Sequence, residues 1–73
     1  MTTQQLHTGR QRIGTRVAEI RKAKGLTQVQ LADAAGLRQQ HVARIESGTH
    51  NVGIDLLDRI ASALHCDIDF KEL

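Results

Sequence analysis

The chain of 73 residues has no proline, tryptophan or tyrosine, and Phe70 is its only aromatic residue. Its interior must therefore be built from Leu, Ile, Val and Ala, a composition suited to helices packed closely on helices. The lack of aromatic platforms argues against stacking on single-stranded nucleic acid. The single cysteine, Cys66, excludes an internal disulfide and fits a reducing compartment. No apolar run approaches the ~20 residues of a membrane span, and Met1-Thr2-Thr3-Gln4-Gln5 lacks an apolar signal segment. A soluble, cytoplasmic protein is expected, with no membrane partner.

Catalytic constellations are missing too. His7, His41, His50 and His65 are scattered without metal-ligand spacing, so no metal and no cofactor is expected. No Ser or Cys stands in a nucleophile motif, and no glycine-rich phosphate loop follows a strand. These absences argue against an enzyme. A core this small is marginal, so the helices must pack efficiently or the chain must pair with a second copy.

Charge is unevenly distributed. Up to residue 50, eight basic residues face three acidic ones, a balance of +5; from residue 51, two face five, a balance of −3. A polyanion would be drawn to the first part and repelled by the second.

Residues 1–10 are polar and aperiodic and read as a flexible arm, from which Arg10 could enter a minor groove. Ile13, Val17 and Ile20 form one apolar stripe of a helix running from about Arg12 to Lys24, ended by Gly25. Thr27 and Gln30 make a capping box for a second helix, whose apolar face is Leu31, Ala32 and Ala35, with Val29 as a further candidate. Gly36 supplies the positive φ of a tight corner, and Leu37 turns back to the core. A third helix spans about Gln39 to Ser47, with Val42 and Ile45 inward and Gln39, Gln40, Ala43 and Arg44 outward. Ile54, Leu57, Ile60, Ala61 and Leu64 form the stripe of a fourth. A domain over residues 11–65 and a tail over 66–73 complete the division. In the tail Cys66, Ile68 and Phe70 alternate with polar residues, the period of a strand. With no partner strand in the chain, it would pair across a two-fold axis of a dimer. The alternatives are a fifth short helix, or a loop whose Ile68 and Phe70 plug the core.

The stretch Leu26 to Gly48 is the most informative. Two short helices meet at the fixed Ala35-Gly36-Leu37 corner, and the second opens with Arg38-Gln39-Gln40-His41. Such a pair is built to reach into a DNA groove. A glutamine amide donates and accepts, so Gln39 and Gln40 can each grip adenine N6 and N7. Arg44, one turn on, can grip guanine O6 and N7 or a phosphate, and His41 can touch a thymine edge or border the groove. Outside such a helix pair, the same side chains would be ordinary exposed polar residues.

These residues resemble the lambda-type repressor and Cro family, the XRE-like helix-turn-helix regulators. The resemblance covers about Ile13 to Leu64. It rests on Arg21 before Lys24-Gly25-Leu26-Thr27-Gln28, on Leu31-Ala32, Gly36-Leu37, Arg44-Ile45-Glu46-x-Gly48 and Ile54-x-x-Leu57-x-x-Ile60-Ala61-x-Ala63-Leu64. It implies an all-α, lambda-repressor-like bundle of four or five helices. It also implies that Gln28 grips a backbone phosphate and braces the first base-reading glutamine, and that Arg21 and Glu46 form a partly buried ion pair fixing the recognition helix. Thr27, Thr49 and Asn51 are further phosphate candidates, as are Arg12 and Arg16 at the edge of the site.

Two positions depart from the family pattern. Arg38 stands where a good N-cap is usual, a loss that a DNA contact could offset. Val52-Gly53 stands where proline is common.

The resemblance implies a repressor that reads double-stranded DNA as a homodimer, with residues 38–47 in the major groove of a pseudo-palindromic operator. No small-molecule ligand is expected. Some antitoxins resemble the same fold, so the alternative is the antitoxin of a toxin–antitoxin pair, holding a toxin with its acidic, apolar tail and repressing its own promoter.

Overall fold

The computed structural model describes residues 8–73, and the first seven residues of the expected arm lie outside it. Four helices follow in order: α1 (Gly9–Ala23), α2 (Gln28–Ala35), α3 (Gln39–Ser47) and α4 (Ile54–Ala63). The described residues form an all-α bundle.

Each helix begins and ends for a local chemical reason. Helix α1 starts three residues earlier than its apolar stripe predicts, so Arg10 is helical. Thr8 Oγ1 accepts from the Gln11 N–H at 3.2 Å, and Gln11 Oε1 accepts from the Thr8 N–H at 2.8 Å. This is the capping box expected at Thr27 and Gln30, which also forms, with bonds of 3.1 and 2.9 Å. Gly36 takes the left-handed conformation, φ +70°, at the corner between α2 and α3.

The core lies where the four helices converge. Leu31 of α2, Val42 of α3 and Ile60 of α4 are its largest fully buried side chains, joined by Val17, Ile45 and Leu64. Three candidates for apolar faces are exposed: Ile13 at 46%, Val29 at 54% and Ile54 at 64%. Val29 precedes Leu31 by two positions, about 200° around a helix, so both cannot face one core. Ile54 is the first residue of α4, at the margin of the bundle.

Helix α1 lies against α3 at Gly14, which is buried. A Cβ there would strike the carbonyl oxygens of Ile45 and Glu46, the latter at 2.7 Å. Gly14 thus permits the approach of the two backbones.

The tail does not form the expected strand: residues 66–73 have no regular secondary structure. A strand needs a neighbour for its N–H and C=O groups, and the described part of this chain offers none. Nor do Ile68 and Phe70 plug the core, being 45% and 100% exposed; Cys66 alone of the three packs against it. An open apolar groove of about 200 Å³ runs between α1, α4 and the start of the tail, lined by Ile13, Leu57 and Ile68 among others. No helix of the described residues is long and apolar enough to cross a membrane.

His65 follows α4 at φ 58°, the only non-glycine residue with positive φ among those described. Its conformation lets the Cys66 N–H donate to the Ala61 carbonyl at 2.7 Å and close the helix end. A Cβ in this region is strained. His65→Gly is expected to raise stability by ~0.5–1 kcal/mol, read as a higher urea midpoint. A lower midpoint would mean that the imidazole contributes more than the strain removes.

Candidate nucleic-acid interface

Helix α3 has two distinct faces: Val42 and Ile45 are buried while Gln39, Gln40 and Arg44 stand in solvent. Its start carries Arg38 as N-cap, whose side chain has no acceptor to offer. The end is closed from the other direction, because His41 Nδ1 accepts the Arg38 N–H at 3.3 Å. His41 is therefore engaged in capping and is half-buried. Sequence reading placed it at the groove and missed this role, although its spacing of three from the N-cap is that of a capping box.

Beneath the exposed face is a charged contact. Arg21 of α1 and Glu46 of α3 form a two-pronged pair: Nε donates to Oε2 at 2.6 Å and the terminal guanidinium nitrogen to Oε1 at 3.0 Å. The other guanidinium nitrogen donates to the Leu26 carbonyl at 2.7 Å, in the turn before α2. Their side chains are 10% and 8% exposed. One side chain thus ties α1, the turn and α3 together, and planar guanidinium geometry suits this three-way task.

Burial alone would raise the Glu46 pKa. Hydrogen bonds from Arg21 and Gln28, with the charges of Arg21 and Lys22, outweigh it and hold the carboxyl below its ordinary value of 4.5. The hydrogen bond to Glu46 raises the Arg21 pKa against the opposing effect of burial. A carboxyl whose pKa is lower folded than unfolded contributes stability above the unfolded value and loses it as pH falls through the folded one. Acidification below the ordinary carboxylate range should therefore lower the urea midpoint, and do so less in Glu46→Gln. Equal acid dependence in the two proteins would show that other carboxyls govern it.

The pair continues outward. Gln28 Nε2 donates to Glu46 Oε1 at 3.0 Å, and Gln39 Nε2 donates to Gln28 Oε1 at 2.8 Å. Four side chains from three helices form one line from the interior to the exposed start of α3. The Gln28–Gln39 brace and the Arg21–Glu46 pair are both present; the bond joining them, Gln28 to Glu46, has no signature in local spacing.

The remaining candidates lie outside this line. Gln40, Arg44 and Arg38 are exposed. Thr27 Oγ1 is occupied by its cap, Thr49 Oγ1 lies 2.8 Å from Ser47 Oγ, and Asn51 is exposed in the loop before α4. On α1, Arg12 is exposed, and Arg16 pairs with Glu19 at 3.2 Å beside the apolar groove. A further residue escaped sequence reading: Arg59 of α4 donates to the Gly36 carbonyl at 3.1 Å and steadies the corner of the helix pair.

Comparison with known proteins agrees with this geometry. A helix-turn-helix family model (HTH_3) matches residues 17–71. The immunity repressor protein of Bacillus phage phi105 is 42% identical over 52 residues, 71% of this chain but 36% of that protein, so the chain spans about a third of that relative. Among solved structures, the restriction-modification controller protein C.AhdI from Aeromonas hydrophila superposes with a TM-score of 0.79 at 34% identity, covering 84% of this chain and 92% of that one. The clp gene regulator ClgR from C. glutamicum superposes with a TM-score of 0.77 at 27% identity, over 81% of this chain and 76% of its own. The matched segment holds α2, α3 and the whole Arg21–Glu46–Gln28–Gln39 line, and the chain belongs to the XRE-type helix-turn-helix family of DNA-binding regulators.

Proposed function

We propose that this chain is a repressor of transcription that binds a pseudo-palindromic operator as a homodimer, with residues 38–47 of each copy in a major groove. The observation that carries this reading is the hydrogen-bonded support of Gln39 at the exposed start of α3, beside the unencumbered Gln40 and Arg44. A side chain held in place before binding pays less ordering entropy on contact with a base edge. Gln39 and Gln40 read adenine, Arg44 reads guanine or a phosphate, and His41 borders the groove. Gln28, Thr27, Arg38, Thr49 and Asn51 supply phosphate contacts, with Arg12 and Arg16 at the edge.

Dimerisation is supported by the small contact surface of one domain and by the exposed apolar Ile68 and Phe70. Together with Cys66 they form the dimer contact, and half-site centres lie about 34 Å apart. The name of the phage relative, an immunity repressor, supports repression as the direction.

Selection of sites from random duplex DNA at near-physiological salt tests the reading. A palindrome should be enriched by the native protein, and Gln39→Ala/Gln40→Ala should lose that enrichment while keeping weak, salt-dependent binding. Enrichment that survives the double substitution would remove both glutamines from base reading. Absence of any enriched sequence would turn attention to a protein partner on the tail.

A further inference from the structure

We infer that Glu46 is a specificity-positioning residue: through Gln28 it fixes which way round the Gln39 amide is presented to DNA. The inference rests on the base-reading role proposed for Gln39.

Donors and acceptors set the direction of each bond in this line. A guanidinium can only donate and an ionised carboxylate can only accept. Arg21 holds Glu46 by both oxygens, so the direction of every bond further out follows. Gln28 must turn its NH2 toward Glu46 Oε1, at 3.0 Å, which leaves Gln28 Oε1 facing Gln39. Gln39 must then turn its own NH2 inward, at 2.8 Å. A reversed Gln39 would set oxygen against oxygen. The line is partly buried at Glu46, where water competes little for these bonds.

This polarity has a consequence for bases. A free glutamine can turn both N–H groups toward guanine O6 and N7, or present one N–H and its oxygen to adenine N7 and N6. Gln39 has already given one N–H to Gln28, and among the described residues its Oε1 accepts nothing. One donor and one acceptor remain, the complement of adenine and not of guanine. Glu46 reaches no base, yet it selects between two of them.

The test compares the native protein with Gln28→Leu and with Arg21→Met/Glu46→Leu. The double substitution replaces the buried pair by apolar groups, a change that small domains tolerate. Competition binding is measured on the operator selected by the native protein and on its single base-pair variants. The base pair read by Gln39 is the one to which Gln39→Ala becomes indifferent. In both variants the preference for adenine over guanine at that base pair is expected to fall about tenfold. Ratios at the other base pairs should stay within about twofold. Gln28→Leu should also weaken binding evenly across sequences if it loses a phosphate contact.

An unchanged adenine preference in both variants overturns the inference and spares the base-reading role. Ratios falling together at all base pairs also overturn it, because the ion pair then sets only the helix angle. A native protein that selects no sequence overturns the inference and the reading beneath it together. Should the double substitution fail to fold, Glu46→Gln decides in its place, because an amide there can donate as well as accept and no longer fixes the direction of the Gln28 bond.

Discussion

Glu46→Ala is expected to destabilise the domain by ~3–5 kcal/mol, the cost of leaving a buried charge without its partner. The Arg21 guanidinium would remain in a site only 8% exposed, with the Leu26 carbonyl as its one retained acceptor. A chain of 73 residues has a total stability of roughly 4–11 kcal/mol at the usual rate per residue. The variant should thus be largely unfolded or close to it, which urea titration followed by circular dichroism would read directly. Arg21→Met/Glu46→Leu should recover most of the loss, because the penalty lies in the orphaned charge and not in the absence of the bond. A single variant that loses less than ~1 kcal/mol would show that water reaches the guanidinium. The same pair holds the base-reading face, so severe loss of DNA binding in Glu46→Ala would report unfolding first. The apolar double variant separates the two effects.

Gly14→Ala sets two effects of opposite sign against each other. In an exposed helix interior, alanine is better than glycine by roughly 0.5–1 kcal/mol. At Gly14 the added methyl would meet the Ile45 and Glu46 carbonyls, the second at 2.7 Å, and backbone oxygens cannot swing aside as a side chain can. Forcing α1 away from α3 should cost more than propensity returns, for a net loss of about 2–3 kcal/mol. The change would also shift the helix that carries Gln39, Gln40 and Arg44. A lower urea midpoint with weakened operator binding is the expected pair of results. A raised midpoint would show that the two helices can slide apart freely.

Much of this architecture is legible in the residues. Thr27 and Gln30 announce the start of α2, and Gly36 announces the corner. Val42 and Ile45 at helical spacing leave Gln39, Gln40 and Arg44 outward. Thr8 and Gln11 carried the same capping signal at the start of α1, where the apolar stripe beginning at Ile13 gave a later boundary. The tail is where a pattern depends on a neighbour. Alternation at Cys66, Ile68 and Phe70 has the period of a strand, but period alone supplies no partner for the backbone, and the tail remains irregular.

By itself, then, the sequence determined the helices, their caps and the outward face of α3, because each follows from interactions within a few residues of chain. Family resemblance added the pairing of Arg21 with Glu46. Tertiary structure alone decided the approach of α1 to α3 at Gly14, the hold of Arg59 on Gly36 and the link from Gln28 to Glu46. Those contacts join residues 18 or more positions apart, as in Gln28 and Glu46. No local period encodes such a separation; the packing of the shared core brings these groups within hydrogen-bonding distance.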